Sequence, residues 1–193
     1  MSAIPKTYIS AQDYLTQERA AQHKSEWYAG EVFAMAGATK EHNKIVASLI
    51  AALHTQLMGR GCSIMPSDIR VYSTISGLYT YPDVVITCGE EQYLDDHFDT
   101  LLNPTILVEV LSKSTEGYDR GDNFKLCRSI PSLQHYVLIS STECEAEVYS
   151  RKETDQWLLT TTKGWEGSIL LGAIDLTIPL SAVYIQVPHL AGK

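Results

Sequence analysis

Between residues 81 and 114 the chain carries two apolar, β-branched runs, Tyr81-Pro82-Asp83-Val84-Val85-Ile86 and Ile106-Leu107-Val108-Glu109-Val110-Leu111-Ser112. Each reads as a buried strand, and each holds one carboxylate where a core strand would carry another aliphatic. An ionised carboxylate without a partner is costly to bury. Two of them in neighbouring core strands call for a shared partner, a divalent cation or a cationic side chain. The pattern predicts that Asp83 and Glu109 face each other across adjacent strands and hold a metal ion. A lysine or arginine bridge is the alternative the residues leave open.

A chain of 193 residues is long enough for one well-buried domain and short for two. It shows no internal repeat, low-complexity tract or linker, so a single domain over residues 1–193 is expected. Apolar content of 45% and charged content of 20% are those of a soluble globular protein. The net charge of −8, from 15 basic and 23 acidic residues, argues against a protein that coats DNA by neutralising phosphates. A nuclease is not excluded, because metal ions and a local basic rim can offset an acidic average. Cys62, Cys88, Cys127 and Cys144 are widely spaced without a C-x-x-C pair, so reduced thiols in a cytoplasmic protein are expected. Residues 1–10 lack a signal-peptide core. No stretch approaches the roughly 20 apolar residues of a membrane span, so no membrane association is expected. Domains of this size often form symmetric dimers, and a homodimer is the expectation here.

Along the chain, Ser10-Ala11-Gln12-Asp13 opens a short helix to about residue 20. Residues 24–35 read as a hairpin turning at Ala29-Gly30, with Glu26 and Glu31 as solvated hairpin charges. A helix over 40–58 carries Ile45, Leu49, Leu53 and Leu57 every four residues and stops at Gly59 and Gly61. His42 shares its inward face, either as a hydrogen-bonded boundary residue or as a ligand looking over a sheet edge. Residues 63–73 and 78–88 form strands joined near Ser76-Gly77, which puts Asp68 beside Asp83. Asp68 then either supports the acids from behind or pairs with Arg70 or another base. The acidic stretch 89–104 reads as a surface loop with at most a helical turn. A strand over 105–112, a helix over 118–129 and a strand over 132–140 make a crossover to a parallel strand. A hairpin over 146–162, a strand over 174–178 and a closing helix from Pro179 to about residue 186 complete the chain.

This order, with Pro-Asp on the second strand and an acid on the third, resembles the PD-(D/E)xK restriction-endonuclease-like superfamily. More closely it resembles the Uma-type endonucleases, a family first catalogued as a domain of unknown function. The matching text includes Glu26 with Tyr28-Ala29-Gly30-Glu31-Val32-Phe33, then His42, Ser67-Asp68-Ile69-Arg70-Val71 and Tyr81-Pro82-Asp83-Val84-Val85. It continues with Asn103-Pro104-Thr105-Ile106-Leu107-Val108-Glu109-Val110, Tyr118-Asp119-Arg120-Gly121 and Tyr136-Val137-Leu138-Ile139. The resemblance implies an α/β (α+β) restriction-endonuclease-like core: a helix, a three-strand antiparallel meander, a crossover helix and a parallel strand, with extra N- and C-terminal hairpins. It also implies an endonuclease acting on DNA, in which Asp83 and Glu109, with the Val110 carbonyl, coordinate Mg²⁺ or Mn²⁺. His42 matches a family histidine that overlooks the site and joins Asp83 and Glu109 as a catalytic candidate.

The chain departs from that pattern at the signature lysine. The position two after the strand acid is Leu111, and the family's lysine in the following helix falls on Asn123. Lys125 lies about 200° further round that helix, and Lys113 shares the Glu109 face only if the strand reaches it. Asparagine offers no positive charge to a developing phosphorane, so the resemblance implies impaired activity unless another cation substitutes. Three readings follow: a metal-dependent endonuclease, a nucleic-acid- or protein-binding module on a nuclease fold, and a purely structural carboxylate pair.

Overall fold

In the computed structural model, residues 8–35, 37–153 and 155–190 are described; most of the 1–10 segment read above lies outside them. Ser10 caps α1 (Ala11–Ala20), accepting the Asp13 N–H at 3.1 Å while its own hydroxyl donates to the Asp13 carboxylate at 2.6 Å. β1 (Ser25–Tyr28) and β2 (Glu31–Ala34) form the expected hairpin. Its turn residues Ala29 and Gly30 stand at φ 51° and 89°, the two positive values a tight primed turn requires. α2 (Lys40–Leu57) starts where the Thr39 hydroxyl accepts the His42 N–H at 3.2 Å, and it buries the four-residue stripe Ile45, Leu49, Leu53 and Leu57.

The next two expected strands are each broken in two, because both bend from one sheet into another. β3 (Cys62–Pro66) leads into β4 (Arg70–Tyr72), and β5 (Tyr79–Thr80) leads back into β6 (Val84–Cys88). β3 pairs with β6 while β4 pairs with β5. Pro82 lies in the second bend and has no N–H to give a ladder, so pairing stops there. The 89–104 stretch is irregular as expected, but it holds a short strand, β7 (Thr100–Leu101), parallel to β4, in place of a helical turn. Arg19 on α1 clasps that loop through Asp95 and Asp99.

β8 (Ile106–Leu111) is followed by a helical segment that is not uniformly α, as the 118–129 reading had it. It consists of α3 (Glu116–Tyr118), a π-helical turn over Asp119–Asn123, and α4 (Phe124–Cys127). β9 (His135–Ser140) then runs parallel to β8, completing the crossover. β10 (Glu145–Glu153) and β11 (Gln156–Lys163) make the expected hairpin, with Thr154 of its turn outside the described residues. β12 (Ser168–Leu171), which the pattern did not reveal, pairs with β13 (Leu176–Pro179). The last strand therefore begins two residues later than expected, after a 3₁₀ turn over Gly172–Ile174. The closing helix shrinks to α5 (Leu180–Val183), with Pro179 as its cap.

The fold is mixed α and β. A six-stranded sheet runs β11-β10-β9-β8-β6-β3, a five-stranded sheet β2-β1-β5-β4-β7, and β12-β13 stand apart. Both faces of the six-stranded sheet are covered, which is why its central strands read as unbroken apolar runs. Ile86, Val108, Val137 and Ile139 face Leu49 and Leu53 of α2 and Ile169 and Ile178 of the β12-β13 hairpin. Val85, Leu107, Leu138 and Tyr136, alternate residues on the same strands, face Phe124, Cys127, Ile130 and Leu133 of the crossover. Tyr14, Leu15, Trp27 and Tyr79 join α1 to the five-stranded sheet.

One cysteine expectation is corrected. Cys62 and Cys88 are disulfide-bonded, because the β3–β6 register sets them directly opposite each other although 26 residues separate them in sequence. Cys127 and Cys144 are free and buried. Among the described residues, no helix is long and apolar enough to cross a membrane.

Candidate metal and catalytic site

Asp83 is not in a strand, as the run 81–86 implied, but in the bend one residue before β6. The antiparallel β6–β8 register pairs Val84 with Val108, so the next step puts Asp83 opposite Glu109. The Asp83 N–H donates to Glu109 Oε2 at 3.4 Å, and the Val110 N–H donates to Asp83 Oδ2 at 2.8 Å. His42, in the first turn of α2, brings Nε2 within 3.0 Å of the same Asp83 oxygen. The structure thus draws together the three residues singled out from the sequence. His42 Nδ1 is buried and has no hydrogen-bond partner among the described residues.

The electrostatics of the pair come from burial. Glu109 is 8% exposed, and its pKa is raised well above the ordinary carboxylate value by desolvation first and then by the charges of Asp83, Asp119 and Glu26. Asp119, on the π-helical turn, is pushed up to about 6, again chiefly by burial. Glu26 is raised for the same reason, although it accepts hydrogen bonds from the Thr80 hydroxyl, the Tyr81 N–H at 3.5 Å and the Tyr118 hydroxyl at 3.4 Å. Glu26 is therefore not the solvated hairpin charge expected of it. Trp27 packs into the core with Tyr79, and strand alternation sends its neighbour Glu26 the other way, toward the carboxylates.

The ion pairs of the described residues include none between a lysine or arginine and Asp83 or Glu109. Among the described residues, then, no lysine or arginine bridges the pair. Nor do the described residues contain three or more His, Cys, Asp or Glu side chains arranged so that they alone could hold a metal ion. Two facing carboxylates, with the remaining positions left to water and substrate oxygens, still suit a hard cation of the Mg²⁺ type, which keeps several waters in protein sites. The donor set fits Mg²⁺ or Mn²⁺.

The other candidates fall elsewhere. Asp68 lies in the turn after β3, exposed, and its partner is Lys24 at 2.9 Å, not Arg70. Arg70 is buried against Thr100, Tyr81 and Asp99. Lys113 lies beyond the end of β8 and does not share the Glu109 face. Asn123 is buried and its amide donates to Glu109 Oε1 at 3.2 Å, whereas Lys125 is exposed. Lys24 and Lys125 both line the cleft of about 1220 Å³ that opens over the carboxylates. Phe33, Met35 and Tyr118 add apolar wall to it. Sequence reading assigned no role to Glu26, Tyr118 or Asp119, and their proximity to Glu109 depends on the hairpin and the crossover helix closing over one sheet edge.

Comparison with known proteins gives the family and the fold. Residues 11–181 match the Uma2 family, described as "Putative restriction endonuclease". Two uncharacterized proteins of Synechocystis sp. are similar throughout. One, slr1290, is 34% identical over 182 residues, covering 94% of this chain and 94% of its own; the other, sll1609, is 35% identical over 161 residues, covering 83% and 91%. Among solved structures, a protein of Anabaena variabilis titled a putative nuclease belonging to DUF820 superposes with a TM-score of 0.71 at 13% identity, over 86% of this chain and 92% of that one. At that identity the likeness is one of fold.

Proposed function

Because the chain belongs to the Uma2 family of restriction-endonuclease-like proteins, we propose that it is an endonuclease that hydrolyses DNA phosphodiester bonds with a divalent cation held by Asp83 and Glu109. The observation that carries the reading is the facing pair: Glu109 buried among negative neighbours, Asp83 half-buried beside it, and no lysine or arginine partner for either among the described residues. Mg²⁺ or Mn²⁺ bound there would polarise a phosphodiester oxygen and make a bound water a better nucleophile. The chain's own residues prepare the place. The Val110 N–H and His42 Nε2 both converge on Asp83 Oδ2 and fix that carboxylate at the mouth of the cleft. A carboxylate only accepts, so Nε2 carries the proton in this pair. Lys24 and Lys125 on the cleft wall provide positive charge for flanking phosphates.

Asn123 supplies no charge beside Glu109, and on this ground we expect slow turnover. The same substitution favours a second reading, a binding module that has kept the fold and lost the reaction. Incubating plasmid and single-stranded DNA with Mg²⁺, Mn²⁺ or EDTA separates the two. Cutting that needs the cation and drops at least a hundredfold in Asp83→Ala and Glu109→Ala supports the nuclease (on the order of 10²–10³ for removal of transition-state stabilisation). Cutting that persists unchanged in Asp83→Ala marks a contaminant, and DNA association without cutting marks the module.

A further inference from the structure

Behind the carboxylate pair three side chains form a buried chain of hydrogen bonds. The Cys127 thiol donates to Asn123 Oδ1 at 3.3 Å, and Asn123 Nδ2 donates to Glu109 Oε1 at 3.2 Å. Cys127 is 0% exposed and Asn123 1%. A side-chain amide has a donor end and an acceptor end, and only the donor end suits Glu109 in the ionised form in which it would hold a cation. Turned over, the amide would set Oδ1 against Glu109, acceptor against acceptor, in a place where an unmade hydrogen bond is expensive. The thiol favours the right orientation, since its S–H needs an oxygen, and it acts alongside Asp119, whose carboxylate also takes a hydrogen bond from the Asn123 side chain. Burial and the acids around it hold that thiol in its protonated, donating form. The spacing serves the purpose: Cys127 follows Asn123 by four residues, one turn along the same helical face.

We propose that Cys127 and Asn123 are positioning residues for Glu109: the thiol sets the amide, the amide ties Oε1, and Oε2, on the Asp83 side, is left to face the cation. The inference rests on the metal site proposed above and adds to it a role for a free cysteine that otherwise reads as a small core hydrophobe.

The test is Mn²⁺ affinity of the full chain, measured by isothermal titration and by the electron paramagnetic resonance of free Mn²⁺. Substitutions of this kind next to metal ligands weaken affinity by roughly 10–100-fold, and Asn123→Ala is expected in that range. The discriminating pair is Cys127→Ser and Cys127→Val. Serine keeps a donor for the amide oxygen, while valine keeps the apolar volume and loses the donor. Mn²⁺ binding near the wild-type level in Cys127→Ser and about tenfold weaker in Cys127→Val supports the proposal. The reverse order, expected of a cysteine that only fills space, overturns it, as do wild-type affinities in both Asn123→Ala and Cys127→Val. If variants fail to fold, the Asn123 side-chain amide resonances of the wild type are followed during Mg²⁺ titration; no change at saturation overturns the proposal. Wild-type protein that binds no Mn²⁺, or Glu109→Ala that binds it equally well, overturns the metal site and this inference together.

Discussion

Glu26 approaches Glu109 from the N-terminal hairpin, and its charge is one of those that hold the Glu109 proton. Replacing it with glutamine keeps the shape and removes a like charge, so Glu109 should ionise at lower pH. Since a protonated carboxyl ligates poorly, Mn²⁺ binding in Glu26→Gln is expected to set in at lower pH than in the wild type. Isothermal titration between pH 5 and 8 reads this directly, and an unchanged midpoint would show that Glu109 does not feel Glu26. The contrast between Glu26 and Asp83 shows how much of the site was legible in the sequence. Asp83 and Glu109 stood out because each interrupts an apolar run, a conflict visible without coordinates. Glu26 and Asp119 sit in polar surroundings where an acid is unremarkable, and only tertiary closure buries them. Asn123 was noticed as a missing lysine; that its amide contacts Glu109 depends on the turn that carries it.

That turn is the element-scale departure from expectation. A π-helical turn inserts an extra residue per turn; Asp119 and Asn123, at its two ends, are both buried. No glycine or proline signal announces it; Gly121 lies inside it but would be read only as a weak helix position. A second element-scale device holds the 3₁₀ turn before β13 against the main sheet. The Ala173 N–H donates to His135 Nε2 at 3.1 Å, so the proton of the neutral ring is on Nδ1, facing Ser150 Oγ at 3.0 Å. Burial, and to a lesser degree the charge of Lys152, pulls the His135 pKa down to about 4. Its folded value lies below its unfolded one, so the unfolded chain binds more protons in between. The stability His135 provides is complete above about pH 6.5 and is lost as pH falls through about 4. The shift corresponds to on the order of 3 kcal/mol. Melting temperature should therefore fall more steeply from pH 7 to 4.5 in the wild type than in His135→Gln, and parallel curves would rule the device out.

For the molecule as a whole, the acid-rich cleft and the net charge of −8 disfavour phosphates until a cation is present. DNA binding is accordingly expected to require a divalent ion. Fluorescence anisotropy with a labelled oligonucleotide should show binding in Ca²⁺, none in EDTA, and none in Ca²⁺ for the Asp83→Ala, Glu109→Ala double variant; equal binding in EDTA would contradict it. The architecture was legible to a greater depth than the site. Periodicities of two and near four residues gave the meander, α2 and the crossover, because those segments bury one face or two. The bends at residues 67–69 and 81–83 left only Pro66 and Pro82 as traces, β12 was too short to register, and the Cys62–Cys88 bond needed the register of two strands. The second of those bends has a mechanical effect. Asp83 stands on the crease where the backbone passes from the five-stranded layer to the six-stranded one, while Glu109 is anchored wholly in the latter. An ion gripped by both would work as a rivet through a hinge: seating it fixes the angle between the layers, and any load that opens that angle pries the rivet loose.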